Sequence, residues 1–368
     1  MTTAEFKNDS PLDLPEGGRL GWEAPSNIAL VKYWGKHGMQ LPANPSISFT
    51  LSQAKTTTVL SFEKKQKAGA GYDVHFSFEG EAKPDFEPKI LQFFERAFPY
   101  LPFLKDYHWK IDSSNSFPHS SGIASSASAM AALGLCLLSV EKQARPEMNE
   151  THFMQKASFL ARLGSGSAAR SIQGPLMQWG ADVHWPGSSD LFAQQIAQEV
   201  HPVFHNYCDC ILLVHQGKKG VSSTAGHGLM HGHPFAESRF GQARKHMSDI
   251  KAILKSGDLD AFIGLVELEA LSLHAMMMSS STPYLLMLPG TVAVLQEVWQ
   301  FRKETGIPLG FTLDAGANVH LLYPAAHKQS VELFIDEKLV AYCEKQQYIR
   351  DSVGLGAKPL EEEGLRAV

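Results

Sequence analysis

Two lysines and two aromatic residues, Lys32, Tyr33, Trp34 and Lys36, stand within five positions near the start of the chain. If this segment is extended, the alternation of side chains places Lys32, Trp34 and Lys36 on one side. Two neighbouring ammonium groups suit an anionic ligand, so the spacing is consistent with an anion-binding site. Taken alone, however, the segment is better explained as a strand whose lysines are exposed to solvent.

A loop rich in serine begins at Asn115 and leads, near Gly122, into a helix of small residues. Small residues let backbone N–H groups approach a phosphate, and a helix N-terminus adds unsatisfied N–H groups and the positive end of its dipole. Serine hydroxyls can bind phosphate oxygens or face a metal ion. A helix cap with close helix packing explains the same pattern. Since no Gly-Lys-Ser/Thr follows, this is not a Walker A loop.

Two further segments could do chemistry. Ala161–Ser171 is a turn of small residues containing Arg170, and its N–H groups, hydroxyls and guanidinium could clamp a carboxylate or phosphate. Asp314 stands at a tight turn between two predicted strands, where a carboxylate suits acid–base work. The alternatives are a flexible connection with a surface arginine and a β-turn aspartate that accepts backbone hydrogen bonds.

In combination, these segments resemble the small-molecule kinase superfamily of galactokinase, homoserine kinase and mevalonate kinase, and within it the mevalonate diphosphate decarboxylase branch. The serine loop is similar to the superfamily's ATP-binding loop, with the Ala-Ser-Ser-Ala form of that branch. The lysine-rich segment matches Asn-Ile-Ala-x-x-Lys-Tyr-Trp-Gly-Lys, and the arginine turn matches Ala-Arg-x-Gly-Ser-Gly-Ser-Ala-x-Arg-Ser. Asp314 falls in Thr-hydrophobic-Asp-Ala-Gly-x-Asn.

Three positions depart from the family pattern. Pro45 replaces a serine, and His37-Gly38 replaces a more polar pair, changes that we expect to alter loop shape rather than chemistry. His227 stands where Lys-Lys-x-x-x-Ser-Thr-x-Gly-Met has its methionine. That segment resembles the family's loop at the diphosphate, so the substitution leaves open whether the substrate carries a diphosphate or a monophosphate.

The resemblance implies ATP and Mg²⁺ and assigns residues by position. The residues expected around the triphosphate are Ser120, Ser121, Gly122, Ser125 and Ser126. The substrate-binding residues implied are Asn27, Tyr33, Lys36, Ser165, Ser167, Ser223 and Thr224. The catalytic residues implied are Asp314, Lys32 and Arg170.

Each catalytic residue has an implied role. Asp314 would orient or deprotonate a tertiary hydroxyl, and Lys32 would keep its carboxylate ionised. Arg170, with Asn27, would hold the substrate carboxylate. The implied reaction is ATP-dependent decarboxylation of mevalonate 5-diphosphate to isopentenyl diphosphate. The alternatives are a decarboxylase of the 5-monophosphate, a mevalonate-type kinase that releases no CO₂, and a silent nucleotide- or isoprenoid-phosphate-binding regulator.

Composition limits the class of protein. The chain has 368 residues, 33 basic and 38 acidic, with a net charge of −5, so it carries no nucleic-acid footprint. Residues 1–19 lack an apolar core and are no signal peptide. The apolar stretch Ile123–Val140 is interrupted by serines and predicts a buried helix rather than a membrane span. The four cysteines lack disulfide-like spacing, which favours a reducing compartment. We expect a soluble cytoplasmic homodimer.

The elements that must position these residues are mixed strands and helices in uneven order, which predict an α+β fold. The resemblance implies two lobes, an N-terminal lobe like ribosomal protein S5 domain 2 and a ferredoxin-like C-terminal lobe. We expect a flexible tail over 1–18, an ATP-binding lobe over 19–205 and a second lobe over 206–368. The cysteines and histidines near 201–210 and the histidines at 227–233 match no common metal site. His274 receives no role.

Overall fold

Two main β-sheets with flanking helices form the computed structural model, which describes residues 2–7, 11–67, 71–118, 123–196, 200–217 and 223–366. At residues 223, 224 and 366 only the backbone is described. The strands are β1 Gly17–Val31, β2 Lys36–His37, β3 Leu41–Pro42, β4 Ser46–Lys64, β5 Asp73–Phe78, β6 Glu81–Ala82, β7 Tyr107–Asn115, β8 Leu176–Trp179, β9 Ala193–Gln195, β10 Tyr207–Leu212, β11 Gly310–Thr312, β12 Val319–Pro324, β13 Tyr348–Ser352 and β14 Lys358–Pro359.

The helices separate into those of the first half and those of the second. They are α1 Glu87–Ala97, α2 Ser125–Ala144, α3 Glu150–Gly164, α4 Ser223–Gly228, α5 Ala236–Ser256, α6 Leu259–Met278, α7 Pro289–Thr305, α8 Lys328–Glu337 and α9 Glu362–Arg366. The predicted α+β fold class is confirmed. Apolar spacing on α1, α5 and α6 places one face of each against a sheet or a neighbouring helix, as helical periodicity predicts.

The first sheet is built on a long antiparallel ladder between β1 and β4. The predicted strands 47–51 and 56–62 both lie within β4, a single strand of 19 residues. The ladder register shifts between Pro25 and Asn27 and again between Ala29 and Val31. Such bulges bend a strand and re-aim its side chains. They lie at the end of β1 that carries the first predicted site residues.

Helices α2 and α3 cover this sheet. Most of α2 is buried, because its small residues allow close approach; a side chain added at Gly134 would meet the α3 backbone at Ala161 at 3.3 Å. The N-terminal segment joins the same core, in contrast to the expected solvated tail. Phe6 is fully buried, and its ring stacks on that of Phe159 at 4.5 Å. Burial of an aromatic ring stabilises that placement.

The second sheet has the strand order β11-β12-β10-β13. Its first strand in the chain begins at Tyr207, a few residues before the predicted start at Cys210. Helices α5 and α6 pack beside each other, and α6 packs on β11 and on β1. After β13 the chain returns to the first half, where β14 pairs with β1. Residues near 358–366 therefore belong structurally with the N-terminal sheet.

Among the described residues, α6 alone has the length and apolar composition of a membrane-crossing helix, and 61% of that stretch is buried inside the fold. A core helix passes the same test of length and composition. The stretch Ile123–Val140 forms a buried helix, as predicted, over most of its length.

Candidate active site

A cavity of about 260 Å³ opens where the end of β1, the turn after α3 and the loop between β11 and β12 meet. It brings together predicted site residues from segments nearly 300 positions apart. These are Lys32, Tyr33, Lys36, Ser126, Ser165, Ser167, Arg170 and Asp314. Trp34 lines the same cavity. The chain leaves the strand at Val31 and turns at Gly35, whose φ is +92°, so both faces of the segment reach the site.

Lys32 and Asp314 form an ion pair, with 2.9 Å between Lys32 Nζ and Asp314 Oδ1. The lysine side chain is 2% exposed and the aspartate 27% exposed. Burial lowers the pKa of Lys32, while the charge and hydrogen bond of Asp314 oppose that shift. The imidazole of His274 lies 3.1 Å from the Asp314 carbonyl oxygen and anchors its turn. The sequence gave no role to His274, and the structure gives it one.

Arg170 lies buried behind the cavity wall, with its guanidinium reaching the lining. It donates from Nε to Ser48 Oγ at 3.1 Å, and from Nη1 to Ser46 Oγ. Burial lowers the pKa of Arg170 to about 10, and the carboxylate of Asp314 counteracts the shift, so the group stays cationic at neutral pH. A buried guanidinium with part of its donor set facing a cavity suits a planar anion such as a carboxylate.

Asn27 is 3% exposed and stands behind Arg170, outside the cavity lining. Its Nδ2 donates to Ser171 Oγ at 2.8 Å and to the Ser167 carbonyl at 3.2 Å. Its Oδ1 accepts from Arg170 Nε at 3.4 Å. The structure thus gives Asn27 an orienting position toward Arg170, and direct contact with substrate stays a prediction.

The predicted phosphate loop is described only in part. Ser120, Ser121 and Gly122 lie outside the described residues, as do the side chains of Ser223 and Thr224 at the start of α4. Ala124, directly before α2, adopts a left-handed conformation with φ +47° and lines the cavity. Non-glycine residues adopt this conformation only where their surroundings hold them there.

Two hydroxyls tie the loop to the rest of the site. Ser26, in β1, donates to the Ile123 carbonyl at 2.5 Å, so the bulged strand holds the start of α2. Ser126 Oγ lies 3.2 Å from Ser165 Oγ, which joins the loop to the arginine turn. Ser125 does not reach this cavity. It lines a second, apolar pocket of about 100 Å³.

That second pocket shares Lys89 and Ser126 with the cavity. Its walls are mainly aromatic and aliphatic, with Asn115 and Ser113 as polar groups, and they include Phe76, Phe78, Phe86, Ile90, Ile111 and Leu133. A pocket of this shape, beside a phosphate loop and with few polar groups, suits a flat aromatic ring.

Positive charge dominates the mouth of the cavity. Lys36, Lys89 and Arg96 lie close enough that each of the other two lowers the pKa of Lys36, after the larger effect of burial. Lys36 Nζ donates to Gln40 Oε1 at 2.7 Å across the β2–β3 hairpin. Repulsion between neighbouring cations is relieved by binding an anion. Lys89, on α1, gave no signal in the sequence because its neighbours are distant in the chain.

Tyr33 supplies a neutral donor. Its hydroxyl is buried and has no hydrogen-bond partner among the described residues, and burial raises the pKa of this phenol. An unpaired buried hydroxyl is costly unless a ligand or water pairs with it. A side chain at Gly166 would come within 2.7 Å of this oxygen, so only glycine leaves it open.

Mg²⁺ fits the site as a metal that arrives with phosphates. Among the residues described, no group of three or more His, Cys, Asp or Glu side chains could hold a metal ion. Mg²⁺ is commonly bound through one or two carboxylates together with substrate phosphates. The carboxylate of Asp314 and the hydroxyl of Ser126 are the oxygen ligands that the cavity offers.

Comparisons with known proteins agree with this geometry. Residues 24–192 match the model of the diphosphomevalonate decarboxylase-like N-terminal domain, and residues 210–364 match that of the mevalonate 5-diphosphate decarboxylase C-terminal domain. The diphosphomevalonate decarboxylase of Ganoderma lucidum is 32% identical over 90% of this chain and 84% of its own length. The chain belongs to the diphosphomevalonate decarboxylase family.

Solved structures of this family have the same fold. The mevalonate diphosphate decarboxylase from Enterococcus faecalis aligns with a TM-score of 0.77 and 28% identity over 93% of this chain and 99% of its own. A complex of MDDEF with MVAPP, AMPPCP and magnesium gives a TM-score of 0.78 at 28% identity, with the same coverage. The phosphomevalonate decarboxylase of Haloferax volcanii is 27% identical over 82% of this chain and 87% of its own length.

Within this family frame, the sequence missed residues that act through distant contacts. Ser26 and Lys89 carry no motif of their own. Glu269, on α6, accepts from the Lys32 backbone N–H at 2.8 Å, although 237 positions separate the two. His227 was noticed only as a departure from the family pattern, and the structure places it in the cavity wall.

Proposed function

We propose that this chain catalyses the ATP-dependent decarboxylation of mevalonate 5-diphosphate, forming isopentenyl diphosphate, ADP, phosphate and CO₂. The observation that carries the proposal is the Lys32–Asp314 pair at 2.9 Å in a cavity that Arg170 also lines. Relatives named for this reaction, and complexes of MDDEF with MVAPP and an ATP analogue, support it.

The first step is phosphoryl transfer to the tertiary hydroxyl of the substrate. Asp314 would orient this hydroxyl and accept its proton as the oxygen attacks the γ-phosphorus of ATP. Lys32 would hold Asp314 ionised and close to that oxygen. The cationic side chains around the cavity would offset the negative charge of the phosphates. When bound, Mg²⁺ supplies further charge neutralisation at the phosphate oxygens.

The second step breaks two bonds. The phosphorylated oxygen leaves carbon 3 as phosphate, and the bond between carbons 1 and 2 breaks to release CO₂. The electrons of that bond form the double bond between carbons 2 and 3, so charge and atoms balance. Arg170 would hold the carboxylate in the orientation from which CO₂ departs, and Asn27 would hold Arg170 through its 3.4 Å contact. Ser165 and Ser167 would complete the substrate wall.

For the nucleotide, we propose that the aromatic base occupies the apolar pocket beside Ser125 and that the phosphates extend past Ser126 and Lys89 into the cavity. Both residues stand where the two spaces meet. A cytoplasmic location and a homodimeric state stay predictions from the sequence.

A decarboxylase of mevalonate 5-monophosphate is the second candidate. Its support is the Haloferax volcanii relative, which carries that name at 27% identity. The family methionine replaced by His227 lies in the segment that resembles the diphosphate loop. The cavity chemistry is shared by both candidates, so the substrate's phosphate count distinguishes them.

The test is a steady-state assay with ATP, Mg²⁺ and either mevalonate phosphate, following ADP, inorganic phosphate and CO₂ together. Equal release of all three is expected with the diphosphate, with kcat reduced about 10²- to 10⁴-fold in Asp314→Asn. Asp249→Asn, an exposed change on α5, is the matched control and should retain full rate. ADP alone would mean a kinase, turnover only with the monophosphate would favour the second candidate, and no turnover with either would refute both.

A further inference from the structure

His227 has a defined ring environment in the cavity wall. The ring centroids of Tyr33 and Trp34 lie 4.4 Å and 4.6 Å from that of His227, so the imidazole stands between two aromatic rings. The residue is 8% exposed. Packing of this kind restrains rotation of the ring and leaves its edges as the parts that meet other groups.

One edge is already used. His227 Nδ1 lies 3.0 Å from the backbone nitrogen of Gly35 and accepts its N–H. A neutral imidazole has one donor and one acceptor nitrogen, so acceptance at Nδ1 requires the proton on Nε2. Burial, and secondarily the charge of Lys36, lowers the pKa of His227 to about 3, which keeps the ring neutral at physiological pH. No hydrogen bond to Nε2 is present among the described residues.

We propose that His227 is a substrate-positioning residue that presents a neutral Nε2–H donor to the phosphate chain of the substrate beside Lys36. The proposal rests on the proposed function for the identity of the substrate, and on the ring environment for the donor. The methionine that the family pattern has here cannot donate a hydrogen bond. A neutral donor adds a directional contact among cations, and a site that bonds a specific oxygen discriminates strongly against ligands lacking it.

The donor stands on the side of the cavity opposite to Asp314 chemistry in the chain's own terms. Lys36 reaches the cavity through the same segment that holds Gly35, and the ring of Tyr33 covers one face of the histidine. A contact from His227 should therefore affect how tightly the substrate's phosphates are held, rather than the transfer step. This predicts a change in KM for the mevalonate phosphate with little change in kcat.

Three variants separate this role from a structural one. In His227→Gln the side-chain amide nitrogen can occupy the Nε2 position, but the acceptor for Gly35 is lost. In His227→Asn the amide oxygen can accept from Gly35, but no donor reaches the cavity. His227→Met loses both. If the residue only satisfies the Gly35 N–H, Asn should preserve activity better than Gln; if it donates to substrate, the order is reversed.

The measurement is kcat and KM for the mevalonate phosphate at saturating ATP. We expect His227→Gln to keep KM within about threefold, and His227→Asn and His227→Met to raise it about tenfold, with kcat within about twofold. KM for ATP should stay unchanged. Equal KM values in all four proteins, or a better Asn than Gln variant, would overturn the proposal.

A second readout does not depend on turnover. In protein labelled with ¹⁵N-histidine, the His227 signal, assigned by its absence from His227→Gln, should show a neutral ring protonated at Nε2. Adding mevalonate 5-diphosphate should shift its Nε2–H resonance. A ring protonated at Nδ1, or an Nε2–H signal unmoved by saturating ligand, would overturn it. If wild-type protein turns over neither mevalonate phosphate, the proposed function fails, while the tautomer measurement still tests the donor.

Discussion

Arg170 illustrates what single residues contribute to this site and what their sequence context can reveal. Its place in a small-residue turn indicated an anion clamp, and the structure puts its guanidinium in the cavity wall. The sequence did not indicate the serines that support it. Ser46 and Ser48 point inward from β4 at alternate positions and accept its donors. They hold one edge of the guanidinium and leave the remainder for a ligand.

His227 also makes the stability of the fold depend on pH. Its pKa is about 3 in the folded protein, against 6.5 for an unperturbed histidine. Between these values the unfolded chain binds a proton that the folded chain does not, so the free energy of unfolding falls as pH drops below 6.5. At about pH 4.5 this single group should cost about 2–3 kcal/mol.

Urea unfolding at about pH 7.5 and pH 4.5 measures this loss. We expect His227→Met to lose about 2–3 kcal/mol less than the wild type between these pH values, because every other titrating group is common to both proteins. Parallel losses in the two proteins would show that the ring is protonated in the folded state or becomes accessible to solvent.

At the level of secondary-structure elements, Glu269 connects the two halves of the protein. From α6 it accepts from the Lys32 backbone at the end of β1, and its carboxylate pairs with Arg239 and His246 of α5. The Glu269 side chain is fully buried, and the charges and hydrogen bonds of His246 and Arg239 hold the pKa of this carboxyl below its usual value, although burial opposes them. One carboxylate therefore fixes α5, α6 and the catalytic lysine relative to one another.

We predict that Glu269→Gln lowers the free energy of unfolding by about 3 kcal/mol, since removing one partner of a buried ion pair leaves the other charges unpaired. Asp249→Asn on α5 breaks an exposed pair with Lys245 and should cost no more than about 0.5 kcal/mol. Chemical unfolding followed by circular dichroism compares the two. Equal small losses would mean that Arg239 and His246 find other partners or water.

Local patterns predicted the elements better than their connections. Helical spacing and strand composition are properties of neighbouring residues, so α2, α5, α6 and the strands of β4 could be recognised from the sequence. The return of β14 to β1 could not, because it pairs Trp22 with Pro359 across almost the whole chain. Burial of Phe6 likewise depends on rings at the far end of the lobe.

The candidate site divides in the same way. Motif strings marked Lys32, Arg170 and Asp314, which the structure brings to one cavity. Position in a motif does not specify which neighbours a side chain meets, so the orienting position of Asn27 behind Arg170 was missed. Lys89 and Glu269 depend on tertiary contacts alone, and a single sequence carries no signal for either.

Over the whole molecule, charge is distributed unevenly. The chain carries a net charge of −5, yet the cavity is lined by Lys32, Lys36, Lys89 and Arg170 against the carboxylate of Asp314. An anionic substrate is thus repelled by the molecule at long range and attracted at the cavity mouth. Salt screens exposed charges more than buried ones, with a Debye length of about 10 Å at 0.1 M. Lys36 and Lys89 are nearer to solvent than Lys32, so their contribution should respond most to salt.

We therefore expect KM for the mevalonate phosphate to rise about three- to tenfold between low salt and about 0.3 M KCl, with kcat nearly constant. Lys36→Gln combined with Lys89→Gln should raise KM at low salt and flatten its salt dependence, because the screened charges are already absent. Lys245→Gln, which removes an exposed lysine on α5, is the matched control and should leave the slope unchanged. If the double variant kept the full wild-type slope, the attraction would have to come from the buried pair of Lys32 and Arg170, and salt would then act on the fold or the nucleotide rather than on the cavity mouth.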